Sequence, residues 1–262
     1  MNSSPVKCYR LQNKVAIVTA ATKGIGLAIA ERLGLEGASI VISSRNEVNV
    51  QESVDYLKKK GVKNVEGVVC HVAKNDHRER LINFTLEKFQ KIDILINNHG
   101  INPVFGDILD VSEEIWDKLF ETNVKAGFLL TKLVVPHMLK NGGGNIIFNA
   151  SFGAYKQGKG IAAYTVTKTT LLGLTKALSD ELAPQGIRVN AIAPGVIKTK
   201  MSKAMWDGKD GEKDLANAIE TPMKRLGTPD ECSGAVAYLV SDDASYVTGE
   251  TIVIAGGIHA RL

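Results

Sequence analysis

Apolar positions along the chain follow two rhythms. Short runs rich in β-branched residues alternate with longer segments in which apolar residues recur every three or four positions. The short runs predict strands at Lys14–Thr19, Ser39–Ser44, Val65–Cys70, Ile92–Asn97, Gly144–Asn149, Arg188–Ala193 and Thr251–Ile254. Each is apolar almost throughout, the pattern of a strand covered by helices on both faces. The longer segments predict helices near Gly24–Glu36, Asn46–Lys60, Asp76–Phe89, Ser112–Leu139, Ile161–Leu182 and Pro229–Val240, with Ser112 and Asp76 read as capping residues. Strand and helix in regular alternation predict βαβ units, hence an α/β, doubly wound (Rossmann-type) three-layer sandwich around a seven-stranded parallel sheet. The stretch Lys198–Thr221 breaks the rhythm just after a strand end and reads as a mobile substrate lid. The glycine run Gly142–Gly144 reads as a helix stop, and with no linker or repeat the expectation is one domain over 1–262.

Composition narrows the class. With 44% hydrophobic residues in 262, the chain can bury one large core. Its 32 basic and 28 acidic side chains nearly cancel, without a dense basic run, which argues against nucleic acid as partner. Cys8, Cys70 and Cys232 have neither zinc-ligand spacing nor a disulfide framework, so no metal is expected and a reducing compartment fits. Residues 1–14 lack the apolar core of a signal peptide and no apolar run reaches bilayer length, so a soluble protein without a membrane span is expected.

The first strand runs into Thr19-Ala20-Ala21-Thr22-Lys23-Gly24-Ile25-Gly26 and then an apolar helix. Backbone N–H groups at such a turn, with Gly24 and Gly26 allowing close approach, can cradle a pyrophosphate. At the end of the second strand an NAD site places a carboxylate against the ribose 2′-hydroxyl, yet this chain has Ser43-Ser44-Arg45-Asn46. Arg45 can clamp a 2′-phosphate, with Ser44 and Asn46 donating hydrogen bonds and Lys23 adding charge, which points to NADP(H).

Tyr164 and Lys168 stand four residues apart in a segment of helical period, so both emerge from one helix face. A phenol with a pKa near ~10 becomes a usable acid/base when a neighbouring cation stabilises the phenolate. A lowering by roughly 2–3 units requires about 3–4 kcal/mol, within reach of one ammonium plus an oxidised nicotinamide ring. Ser151, just past the fifth strand, reaches the same sheet edge and can orient a substrate oxygen. Asn123 is an amide in an apolar setting, fit either to hold a relay water or to satisfy a nearby backbone group.

Together these residues resemble the short-chain dehydrogenase/reductase family over nearly the whole chain, Lys14 to Gly257. The motifs stand as TAATKGIG at Thr19–Gly26, NNHG at Asn97–Gly100, Asn123, Ser151, Tyr164-Thr165-Val166-Thr167-Lys168 and Pro194-Gly195. The resemblance implies Tyr164 as acid/base, Lys168 on the nicotinamide ribose, Ser151 polarising the carbonyl and Asn123 positioning a water. It also implies cofactor contacts at Thr22, Lys23, Gly24, Ile25, Gly26, His71, Val72, Asn98, Gly100, Pro194, Gly195, Ile197 and Thr199. Phe152 and Tyr155, with Ser151, are the implied substrate contacts. Three positions depart from the family pattern: Ala20 replaces the first motif glycine, His71 an adenine-side aspartate and His99 an alanine.

Within the family, stretches such as SSRNEVNV, CHVAK and DDASYVTGETIVIAGG resemble a group of peroxisomal NADP(H)-dependent carbonyl and retinal reductases. That likeness implies a homotetramer acting on aromatic ketones, α-dicarbonyls and retinal. The terminal Ala260-Arg261-Leu262 resembles an SKL-type address, implying a peroxisomal import receptor as partner, with the cytoplasm as the alternative location. Two other readings stand beside this one: a 3-oxoacyl thioester reductase, and a non-catalytic NADP(H)-binding redox sensor.

Overall fold

In the computed structural model, which describes residues 9–258, the apolar runs become seven strands: β1 (Val15–Thr19), β2 (Ser39–Ser44), β3 (Val65–Val69), β4 (Ile94–Asn97), β5 (Gly144–Asn149), β6 (Ile187–Pro194) and β7 (Thr251–Ile254). All pair in parallel, in the order β3-β2-β1-β4-β5-β6-β7. Successive side chains point to opposite faces, so Ala16 and Val18 enter one core while Ile17 between them enters the other. The first core is closed by α1 (Gly24–Leu35), α2 (Glu47–Lys59) and α9 (Pro229–Val240). Helices α3 (Asn75–Phe89), α5 (Ala126–Lys140) and α6 (Ala162–Leu182) close the second. Each fully buried Ile or Leu in these layers stabilises the sandwich by about 1.5–3 kcal/mol.

Two local expectations change. The predicted helix over Ser112–Leu139 is α4 (Glu113–Phe120) joined to α5 by a π-helical turn, Glu121–Lys125, which carries Asn123. Ser112 does cap α4, its hydroxyl accepting from Ile115 N, but Asp76 lies inside the first turn of α3 and the N-cap is Lys74. The stretch Lys198–Thr221, read as a substrate lid, holds α7 (Lys203–Trp206) and α8 (Gly211–Ala218) and no strand, with Lys198 Nζ 2.8 Å from Glu212. Among the described residues no helix is long and apolar enough to cross a membrane. Gly142 and Gly143 take positive φ, and Gly143 N donates to Met138 O, stopping α5 ahead of β5.

The strand order reverses between β1 and β4, where the chain leaves for opposite sides of the sheet. A crevice opens beyond their carboxyl ends, the position at which open α/β sheets bind ligands. The turns after β1 and β4 line it.

Candidate active site

The turn after β1 is set by close backbone approach. Gly24 has φ +57°, and a Cβ on Gly26 would collide with the Asn98 side-chain amide and the Ala20 carbonyl. Asn98 Nδ2 donates to Thr19 O and Ala20 O, both at 3.1 Å, and Asn98 Oδ1 accepts from Asn149 at 2.8 Å. The side chain of Asn98 thus braces the turn against β4 and β5. Thr19 Oγ1 adds to the brace by accepting from the N–H groups of Asn98 (3.0 Å) and His99 (3.3 Å). Ala20 itself sits at φ +50°, a left-handed conformation that costs an alanine roughly 1–2 kcal/mol.

Around this turn stand the residues expected at the adenine end. Lys23 caps α1 in extended conformation, and Lys23 and Arg45 are exposed, without a carboxylate partner among the described residues. Asn46 caps α2 by accepting from Asn49 N with Oδ1, which leaves its NH2 group free to donate outward. Thr22 is fixed through its carbonyl, which accepts from Ser53. Val72 is buried, and Arg78 at 3% exposure donates to its carbonyl at 2.6 Å. The half-buried imidazole of His71 is held below its usual pKa by lost hydration, then by the charges of Arg45 and Lys74. A cleft with unpaired cations, free amide donors and a glycine turn suits a phosphorylated dinucleotide.

Beyond the switch point, β5 delivers Ser151 and α6 delivers Tyr164 and Lys168 to one edge of the crevice. Burial pushes the half-buried Tyr164 phenol up to about 12, and a hydrogen bond with Ser151 pulls the other way. Ser151 Oγ also accepts from Gly153 N at 3.1 Å, in the tight turn Phe152–Ala154 that leads to Tyr155. Lys168 is 3% exposed, and burial brings its ammonium down to about 8. Its Nζ lies 5.6 Å from the Tyr164 ring centroid and donates to Asn149 O at 2.6 Å. In the chain alone the phenol therefore stays protonated. The lowering expected from Lys168 does not appear: burial dominates, and Ser151 alone pulls the phenol down.

Asn123 is engaged on three sides. Its Oδ1 accepts from Ile101 N at 2.8 Å, and its Nδ2 donates to Ile101 O and to Thr167 Oγ1, both at 3.0 Å. One Oδ1 lone pair remains for a water. That oxygen and Lys168 Nζ both border Gly100, 3.7 and 3.2 Å from where a Cβ there would stand. His99, next to Gly100, is 5% exposed and contacts Thr19 Oγ1 at 2.9 Å. Burial, then the charges of Lys168 and Arg78, lower its pKa to about 3, so it is neutral.

The fourth wall follows β6. Pro194 ends the strand, Gly195 N donates to Ile254 O at 2.9 Å, and Ile197 bridges to Gly227. Thr199 leans across the crevice, its Cγ2 3.1 Å from where a Cβ on Gly24 would sit. Sequence reasoning missed Thr167, Ser202 and the Asn149 carbonyl. Their roles arise from contacts between distant elements, which no local pattern announces.

Comparison with known proteins agrees with this geometry. A family model described as Enoyl-(Acyl carrier protein) reductase matches residues 19–259. The Caenorhabditis elegans protein "Dehydrogenase/reductase SDR family member 4" is 64% identical over 98% of this chain and 100% of its own length. The human protein of the same name is 50% identical over 96% of this chain and 90% of its own length. A solved 3-ketoacyl-(acyl-carrier-protein) reductase from Brucella melitensis, complexed with NADH, superposes with a TM-score of 0.85 at 31% identity, covering 94% of this chain and 98% of that one.

Proposed function

The chain belongs to the short-chain dehydrogenase/reductase family of nicotinamide-dependent oxidoreductases, and from that premise we propose that it is an NADP(H)-dependent carbonyl reductase working through Asn123, Ser151, Tyr164 and Lys168. The observation that carries this reading is the meeting of three side chains at one sheet edge: Tyr164 beside Ser151, with the Lys168 ammonium 5.6 Å from the centroid of its ring. Bound at the switch point, NADP(H) supplies or takes up the hydride. Ser151 and Tyr164 hold the carbonyl oxygen between two hydroxyls. A phenol that rests protonated is ready to give its proton to that oxygen during reduction. The resulting phenolate then needs nearby positive charge, which Lys168 carries.

The cofactor would rest its pyrophosphate on Thr22, Lys23, Gly24, Ile25 and Gly26 and its 2′-phosphate on Arg45, Ser44 and Asn46. The preference for NADP(H) rests on Arg45 standing where NAD sites carry an acid. His71 and Val72 flank the adenine in this reading, and Pro194, Gly195, Ile197 and Thr199 the nicotinamide. Phe152 and Tyr155 offer aromatic surface to ketones, α-dicarbonyls or retinal.

The test is NADPH oxidation with these carbonyls, run beside 3-oxoacyl thioesters, the substrates suggested by the name of the Brucella neighbour. Tyr164→Phe is expected to lose about 10³-fold or more in kcat while NADPH binding stays within twofold. Binding without turnover in the wild type would instead make the protein a cofactor sensor. Turnover of thioesters alone would move the substrate class.

The same resemblance supports a homotetramer and a peroxisomal location. The Ala260-Arg261-Leu262 address lies outside the described residues. Light scattering on the purified protein tests the first, and loss of organelle import on deleting the tripeptide tests the second.

A further inference from the structure

Helix α7 is tied to the crevice chiefly through the hydroxyl of Ser202. Ser202 Oγ accepts from Thr199 N at 3.1 Å and from the Trp206 indole N–H at 3.1 Å, and its own proton goes to Ile197 O at 2.5 Å. These are its three shortest bonds; longer contacts of 3.3 Å reach Thr199 Oγ1 and Thr199 O. The backbone N–H of Ser202 returns a long bond, 3.4 Å, to Thr199 Oγ1. Thr199 in turn stands against Gly24 in the turn that receives the pyrophosphate. Ser202, Trp206 and Thr199 are all half-buried, so this junction is neither core nor free surface.

We propose that Ser202 is a positioning residue for the nicotinamide end of the cofactor: its hydroxyl fixes Thr199 over the crevice and uses Trp206 to hold α7 in place behind it. The inference rests on the cofactor reading above and deepens it. Removing the hydroxyl leaves the Thr199 and Trp206 donors and the Ile197 carbonyl without partners, so Thr199 swings away from the crevice. The adenine end, formed by Ser44, Arg45 and Asn46 at the end of β2 on a separate element, is left as it was.

The experiment compares two ligands by calorimetry: NADPH, and adenosine 2′,5′-bisphosphate, which keeps the adenine end and lacks both the pyrophosphate bridge and the nicotinamide. Ser202→Ala is expected to weaken NADPH binding about tenfold, as for one to two net hydrogen bonds, while the fragment binds within twofold of wild type. Ser202→Thr keeps the hydroxyl and should recover most of the loss. In a Trp116→Phe background, emission from Trp206 should shift to the red in Ser202→Ala. Equal losses for both ligands would mean general disturbance of the fold, and no loss for either would mean that Ser202 does not position the cofactor. Either result overturns the inference while leaving the cofactor reading intact. A wild-type protein that bound neither NADPH nor NADH would overturn both.

Discussion

The two edges of the sheet are built on opposite electrostatic plans. At the amino edge the buried acids are compensated: Glu36, 4% exposed, meets Arg10 and Arg32 at 2.8 and 2.6 Å, and Asp93 accepts from Val15 N at 2.7 Å beside Lys91 at 3.0 Å. At the carboxyl edge Lys168 and Arg78 are each 3% exposed, with carbonyl partners but no carboxylate among the described residues. Compensated charge serves the fold. Uncompensated positive charge beside a crevice is a standing demand for an anionic ligand, and protonation states shift where it is met by burial alone.

The contrast can be broken in order of expected effect. His99 is held neutral first by its burial and then by the charges of Lys168 and Arg78 at the carboxyl edge. Its folded pKa, about 3, lies below its usual 6.5. The unfolded chain therefore binds the extra proton first, so its contribution is complete above pH 6.5 and is lost as pH falls toward 3, by at most roughly 1.4 kcal/mol per pH unit. Urea unfolding between pH 6.5 and 5 should show a steeper loss in wild type than in His99→Ala; equal slopes would mean that the imidazole is not held neutral.

Arg45→Asp is next: NADPH should lose about a hundredfold in kcat/KM, worth about 2.7 kcal/mol, with NADH nearly unchanged. Parallel losses would remove the phosphate clamp. At the opposite edge Glu36→Gln should cost about 2 kcal/mol of stability by leaving Arg10 and Arg32 without their shared carboxylate, yet leave kcat as it is. The smallest effect is Ala20→Gly. Relief of the positive φ, less the added freedom of the unfolded chain, predicts a gain of about 0.5–1 kcal/mol in chemical denaturation.

Much of this was legible before any coordinates. Strand positions followed from β-branched runs because both faces of a parallel sheet are apolar. Tyr164 and Lys168 shared a helix face because four residues make one turn. Less legible was anything that depends on a break in regularity. The π-helical turn at Glu121–Lys125 keeps the helical apolar rhythm on either side, so Ser112–Leu139 read as one helix. Asp76 looked like a cap because caps and first-turn acids draw on the same residue.

The sequence by itself determined the alternation of elements, the glycine turn, the missing acid before Arg45 and the family, since these rest on local spacing and residue type. Only the tertiary structure decided which protons and partners the site residues have. Dehydration of Tyr164, Lys168 and His99 depends on helices and strands far apart in the chain closing over them. The tie from Trp206 through Ser202 to Thr199, and across to Gly24, likewise exists only once β1 and the segment after β6 stand side by side. Hydrogen bonds and desolvation act over a few ångströms in space, and distance along the chain carries no record of that.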